Sequence, residues 1–522
     1  MTLQELFDRS CTLYADCPAI SFVNGTPITY AEMKREVDKT AVLLGRMGIC
    51  KGDRVAILSG NMPNWCIAFF AIIGRGAVVV PILPDFHPHE VQNILQHSGS
   101  KAIFISQKLK ENVGNYLQSE TLTHTIDIEN FLPFSGELTD EPVALQELPP
   151  ETETASIIYT SGTTGRSKGV MLSHRNITLN AQMCLEFHNV DKDDVFLSIL
   201  PLSHAYENTV AFILPIMQGA SIYYVDKPPT ASVLVPALAK VRPTLMLSVP
   251  LVIEKIYRSQ VQAKFTASRL LKFFYEKVAP FRKAVHYLAG IKLRKTFGGR
   301  LEFFGIGGAK LDPTVERFLQ EAHFPYAIGY GLTETSPVLA GSSPSTVCFQ
   351  GIGKVMDGVQ VVIDNPDQRT GVGEVIAKGE TVMQGYYREP ELTRSVFTAD
   401  GWFRTGDLGL FDKRKRLFLK GRLKTMILGA SGENIYPEDI ESIINNFRGV
   451  LESLVLEKKG KLVAMVCLNM EELNRQIDIL VEELKIYVNQ RVNRFSQIHS
   501  VILVPTPFEK TPTMKIKRYL YS

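Results

Sequence analysis

The segment Tyr159–Val170, YTSGTTGRSKGV, brings four hydroxyls (Thr160, Ser161, Thr163 and Thr164), two glycines (Gly162 and Gly165) and Lys168 into one short stretch. Glycine lets a ligand approach the backbone closely, and successive N–H and O–H donors around a turn make a nest for an anion. Lysine adds a fixed positive charge. The run follows an apolar stretch, ASIIYT (155–160), that reads as a buried strand, so the donors would stand at a strand end. The chemistry such a nest serves is the handling of a polyphosphate. It is not a Walker A loop, because GxxxxGK[ST] demands another spacing and Lys168 comes three residues after the second glycine. A plain polar turn is the bland alternative, and four hydroxyls with a lysine argue against it.

Downstream, in order, stand LPLSHAYENT (200–209), GIGGAKL (305–311), YGLTETSP (330–337), GEVIAKGETVMQGYY (373–387), GWFRTGDLG (401–409), GRLKTMILGASGENIYPEDIE (421–441) and TPTMKIKR (511–518). With the loop, this ordered set resembles the AMP-forming adenylating superfamily of acyl- and aryl-CoA synthetases, amino-acid adenylation domains and firefly-type luciferases. The resemblance runs from about residue 20 to the end of the chain. PLSHxxE and TPTxKxKR look like the long-chain fatty acid–CoA ligase branch.

The resemblance implies a two-step reaction. A carboxylate attacks the α-phosphorus of ATP, pyrophosphate leaves, and a thiol then displaces AMP from the acyl-adenylate. It implies ATP, Mg²⁺ and CoA, with a medium- or long-chain fatty acid as the acid. An acyl carrier protein's phosphopantetheine is the alternative thiol. Carried over by position, Thr160–Lys168 would hold the β- and γ-phosphates, Glu334 would ligate Mg²⁺, and Thr333 would bond the α-phosphate. Gly308, Ala309, Gly329 and Tyr330 would form the adenine slot, with Asp407 on the ribose hydroxyls and Arg422 assisting. His204 would wall the acyl site, Gly421 would be the hinge, and the loop around Gly432 would face the thiol tunnel. Lys515 matches the catalytic lysine. A strand there would put Lys517 on the same face, so Lys517 competes with it. A non-catalytic acyl or nucleotide sensor would be expected to lack Lys168, Glu334 or the C-terminal lysine, and all three are present. A kinase would need motifs that are missing.

Those residues need a scaffold. Between Asp53 and Leu311, β-branched runs (55–58, 77–82, 102–105, 155–160, 195–200, 220–225, 244–249) alternate with helical patterns (62–73, 88–97, 174–187, 231–241). Such alternation predicts parallel sheets covered by helices. Beyond Gln350, glycine-punctuated text predicts a small antiparallel β unit. Past Gly421 come a helix after Pro437, a hairpin at 458–461, a helix near 471–494 and the strand SVILVPTP. The expected class is α/β: a large N-terminal AMP-binding domain (1–420) of helix-covered parallel sheets plus a small β unit. A small mobile α+β lid domain (421–522) follows it.

Composition narrows the setting. The 522 residues include 57 basic and 54 acidic side chains, a net charge of +3, and 45% are hydrophobic. That is ordinary globular composition, with no basis for expecting a nucleic-acid partner. Seven scattered cysteines without a CxxC pair predict reduced thiols and a cytoplasmic protein. The N-terminus, MTLQELFDRS, has no apolar signal core. Trp65–Leu83 is apolar but broken at Gly74–Gly76, so a buried helix followed by a buried strand is expected rather than a membrane span. His87 and His89 lack a third ligand at metal spacing. Residues 255–300 carry twelve Lys/Arg against one acid, Glu276, with eight aromatics. The bland reading is a solvated helical face; the sharper one is peripheral contact with a membrane surface or a polyanion.

Overall fold

The β-branched runs become strands, and most of the helical patterns become helices, in the computed structural model of the chain. It describes residues 1–114, 121–136, 138, 143, 147–161, 167–258, 261, 273–275, 277–428, 434–458, 460–469, 477–511 and 515–521. Among them, one sheet of nine strands runs in the order Lys354–Val355, Val338–Gly341, Tyr326–Gly331, Phe303–Ile306, Leu245–Ser248, Val195–Ser198, Ser221–Tyr224, Pro18–Phe22 and Ile28–Thr29. Its inner strands are parallel and its edges antiparallel. A second sheet of eight strands holds Arg54–Leu58, Val78–Ile82, Ala102–Ile105 and Thr154–Ser161 in parallel.

The apolar stretch Trp65–Leu83 lies in the core beside the sheets. Pro63–Gly74 is a helix in which every residue from Trp65 to Ile73 is buried. Such all-round apolarity marks a helix covered on every side. Trp65, Phe69 and Phe70 meet Phe212 edge-on at ring distances of 5.3–5.8 Å. The glycine break then leads into the buried strand Val78–Ile82. No described helix is long and apolar enough to cross a membrane. All seven cysteines are free thiols.

The expected antiparallel unit is present as four strands, Val359–Asp364, Gly373–Gly379, Phe403–Phe411 and Leu417–Arg422. The division expected after residue 420 falls inside the last of these, which stays paired through Arg422. Beyond it, helix Pro437–Asn445, hairpin strands Val450–Lys458 and Lys461–Leu468, helix Ile477–Asn489 and strand Ser500–Val504 enclose their own apolar cluster. The helix expected over 174–187 stops at Met183 and tightens into a 3₁₀ turn at Cys184–Glu186.

Candidate active site

Strands Thr154–Ser161 and Ser167–Ser173 form an antiparallel hairpin in which Thr160 faces Lys168 and Ser161 faces Ser167. The expected loop residues Gly162, Thr163, Thr164 and Gly165 lie outside the described residues. A short strand, Gly385–Tyr386, pairs beside the hairpin, with Tyr386 opposite Val170. This register puts the Tyr386 ring under Lys168, whose Nζ lies 4.6 Å from the ring centroid and donates to the hydroxyl at 3.3 Å. That hydroxyl in turn donates to Glu334 Oε1 at 2.8 Å. Desolvation pushes the Lys168 pKa down, Glu334 opposes the shift, and Lys424 and Arg422 add to it.

Glu334 sits in a 3₁₀ turn, Thr333–Thr335, directly after strand Tyr326–Gly331. Glycine at 331 is obligatory, because a Cβ there would lie 1.7 Å from the Pro337 carbonyl oxygen. The close backbone approach folds the turn back so that Glu334 is buried while Thr333 stays half-exposed beside it. Among the described residues the second oxygen of Glu334 accepts no hydrogen bond. A hard carboxylate oxygen left over in this way fits an octahedral Mg²⁺ whose other ligands are phosphate and water.

The Asp407 end is equally connected. Asp407 and Arg422 face each other across strands Phe403–Phe411 and Leu417–Arg422, and Arg422 Nε lies 2.8 Å from Asp407 Oδ1. Tyr330 donates its hydroxyl to Asp407 Oδ2 at 2.8 Å. Burial raises the Asp407 pKa, and Arg422, Tyr330 and Lys515 counter it. Tyr330 is therefore tethered at its hydroxyl with its ring held in place. Next to it, a Cβ on Gly329 would meet nothing within 4 Å, and one on Gly308 only Val249. Gly308 and Ala309 follow strand Phe303–Ile306 as exposed backbone. Gly421 pairs with Leu408 one position before Arg422. Gly432 lies outside the described residues.

Beside Gly329 opens a narrow, largely apolar cavity, walled by Tyr206, Val210, Phe187, Leu247, Phe303 and Val338 among others. His188 contributes to this wall, with an Nε2 that has no partner among the described residues. The tightened turn after Met183 turns Phe187 and His188 toward this space. His204 accepts from the Tyr206 amide at Nδ1. Burial, with Lys515 adding to it, pushes His204 down to about 4, so the ring is neutral at neutral pH.

The charge of Lys515 acts on groups in all three regions. Desolvation and Arg422 lower its pKa, while Asp407 and Glu334 raise it, and its charge also reaches His204. The residue as a whole is exposed. Lys517 points elsewhere, pairing with Glu509 at 3.6 Å. Among the described residues there, Lys510 bridges Ile516. Sequence reasoning assigned no role to Tyr386, Tyr206, Gly331 or the Phe187–His188 pair. Tyr386 and Tyr206 lie within the quoted stretches ending GYY and containing HAYE, so an aromatic in a shared motif was the available signal. His89 pairs with Asn93, and no described group of three His, Cys, Asp or Glu side chains converges on a metal position.

Residues 7–387 match the AMP-binding enzyme family. The long-chain-fatty-acid–CoA ligase heimdall of Drosophila melanogaster is 29% identical over 497 residues, covering 85% of this chain and 72% of the relative. The 4-coumarate–CoA ligase 3 of Oryza sativa subsp. japonica is 28% identical over 99% of this chain and 91% of the relative. Among solved structures, ATP-bound MatB from Rhodopseudomonas palustris superposes with a TM-score of 0.81 at 24% identity, over 100% of this chain and 98% of that one.

Proposed function

The chain belongs to the AMP-binding enzyme family, and on that premise we propose that it is an ATP-dependent acyl-CoA synthetase for a medium- or long-chain fatty acid. The observation that carries this reading is the set of groups around Lys515, whose charge acts on Glu334, on the Asp407–Arg422 pair and on His204, with His204 accepting from the amide of Tyr206, a residue of the apolar cavity wall. In adenylation the acid's tail lies in that cavity. A carboxylate oxygen forms a bond to the α-phosphorus, the bond from that phosphorus to the bridging oxygen breaks, and pyrophosphate leaves. Both reactants are anions, so charge held in place before the reaction lowers the barrier more than any other device. Lys515 spans the attacking carboxylate and the α-phosphate, Lys168 holds the departing phosphates, and Thr333 donates to the α-phosphate. Glu334 would hold Mg²⁺, which would offset phosphate charge when bound. Neutral His204 can line the carboxylate's path without forming an ion pair that would trap it.

In the second step the thiol sulfur bonds to the acyl carbon, the mixed-anhydride C–O bond breaks and AMP leaves, with the thiol proton passing to solvent. The region from 421 onward would rotate to expose this face, taking Lys515 away and bringing in the loop around Gly432. Free CoA is the proposed acceptor, and a carrier-protein phosphopantetheine presents the same reacting thiol. Seven free thiols suit a cytoplasmic setting, and contact with a membrane surface through 255–300 belongs to the same reading.

Relatives named for long-chain fatty acids and for 4-coumarate match about equally well. The hydrocarbon lining favours the fatty acid. ATP–pyrophosphate exchange across alkanoic acids of increasing length and a hydroxycinnamic acid decides the matter. Exchange should peak with an alkanoic acid; a peak with the aryl acid would assign the cavity to it, and no exchange with any acid would end the proposal.

A further inference from the structure

Helix Ala279–Thr296 has two apolar stripes, and the fold uses only one. His286, Gly290 and Leu293 face inward, followed by buried Phe297 beyond the helix end. That inner side is firmly seated. A Cβ on Gly290 would lie 2.3 Å from the Ala322 carbonyl oxygen. Glu321 holds Arg282 at 2.9 Å and His286 at 2.7 Å. The His286 ring continues to Tyr275 at 2.6 Å and on to Tyr257 at 2.9 Å. The helix cannot roll to bury its other side without breaking this brace.

The outer side carries Ala284, Tyr287, Leu288 and Ile291 at spacings of three and four residues, one stripe of a helix. Tyr287, Leu288 and Ile291 are 48%, 65% and 45% exposed. Phe273 and Phe274, also exposed, extend the patch through ring contacts to Phe281. Lys283 flanks the stripe on one side and Lys292 on the other, with Lys295 at its end, all exposed or partly so. The helix contains no acidic residue.

We infer that this helix docks in the plane of an anionic bilayer, its outer stripe entering the acyl boundary while Lys283, Lys292 and Lys295 reach the headgroups. This deepens the membrane contact of the reading above and depends on that reading only for what the bilayer delivers. An apolar stripe with lysines on both flanks is the arrangement of an interfacial helix, because lysine stems bury while their charges stay among phosphates. A second copy of the chain fits poorly. Across a twofold axis lysine would face lysine, with no acid on the helix to offset them. A water-poor, negatively charged surface complements both features at once.

The test is sedimentation of the full chain with phosphatidylcholine vesicles, with and without phosphatidylglycerol, at low and high salt. The wild type should co-sediment with the anionic vesicles and be released by salt. Leu288→Glu with Ile291→Glu should weaken binding by about tenfold or more, and Lys283→Ala, Lys292→Ala and Lys295→Ala together should abolish the preference for phosphatidylglycerol. As an independent readout in an otherwise intact chain, the fluorescence of the Tyr287→Trp variant should shift to the blue when anionic vesicles are added. A wild type that stays in the supernatant, glutamate variants that bind undiminished, or a Tyr287→Trp emission blind to lipid would each overturn the inference. So would a lipid-free dimer that Leu288→Glu dissociates. Pyrophosphate exchange with a water-soluble acid, run without vesicles, reports on the enzymatic reading separately and should be the same in wild type and variants.

Discussion

At the residue scale, two lysines two positions apart have different neighbourhoods. Lys515 shares its field with Arg422, Asp407, Glu334 and His204, whereas Lys517 meets the exposed Glu509. Lys515→Ala should therefore cut adenylate formation by roughly a hundredfold or more, as loss of a charge poised at a transition state does. Lys517→Ala should stay within about threefold, the scale of a surface ion pair. Stopped-flow release of pyrophosphate measures both, and equal damage would return the assignment to a tie. Glu334→Gln should raise the Mg²⁺ concentration needed for half-maximal exchange, and an unchanged requirement would remove the ligand role. Glu207 makes a prediction of another kind. It is fully buried, accepts from Ser198 Oγ at 2.6 Å, and is pushed up to about 8 by desolvation. An unfolded chain releases this proton near 4.5, while the folded one keeps it until about 8. Stability from this group is thus intact at low pH and lost as pH rises through that window. Glu207→Gln mimics the protonated acid, so its melting temperature should gain on wild type steadily between about pH 5 and about pH 8. A pH-independent difference would mean that the native carboxyl is already ionised.

At the scale of elements, the sequence was most legible where one physical signal dominated. Val55–Leu58 and Ala102–Ile105 are β-branched, continuous and short, and both are strands in the structure. Ala231–Val241 forms the helix its pattern predicts. What periodicity misses is structure decided by contacts distant in sequence. Ser167–Ser173 is a strand because Thr154–Ser161 lies beside it. Glu207–Ile213 is π-helical, a wide turn that the residue types alone do not announce. In the candidate site, Glu334 could be placed by motif; Tyr386 also lies in a quoted motif stretch, but it stands 52 residues away, and its contact with Glu334 follows from the register of a two-residue strand. The turn carrying Glu334 depends on Gly331. Gly331→Ala would drive a methyl group into the Pro337 carbonyl and displace the turn. Adenylation should fall by at least about tenfold through misplacement alone, while the melting temperature of the remaining fold changes little. A variant with normal exchange kinetics would show that the turn tolerates another path.

At the scale of the whole molecule, the question is what would hold Lys515 over the site in the proposed adenylating arrangement. Among the described residues, side-chain contacts join the last hundred residues to the large sheet region close by, the longest being Ser442 Oγ to Asp312 at 3.5 Å. Lys310 Nζ meets Asp439 at 2.7 Å, and Asn446 donates to Asp312 at 2.5 Å. Asp312 also caps helix Pro313–Glu321 through the amides of Thr314 and Val315, so altering it would confuse docking with folding. The clean variants lie on the other side: Asp439→Ala and Asn446→Ala. Lys310 and Asp439 are both well exposed, and a pair of that kind contributes at most about 1 kcal/mol, roughly fivefold in an equilibrium. Such weakness suits the proposed rotation, since a strong latch would hold the adenylating arrangement after pyrophosphate has left. The double variant should therefore slow pyrophosphate release by about two- to fivefold, because the arrangement with Lys515 in place is less populated. Thioester formation from a supplied acyl-adenylate should be unchanged or faster. Equal slowing of both half-reactions would mean that these contacts stabilise the fold and do not select between arrangements.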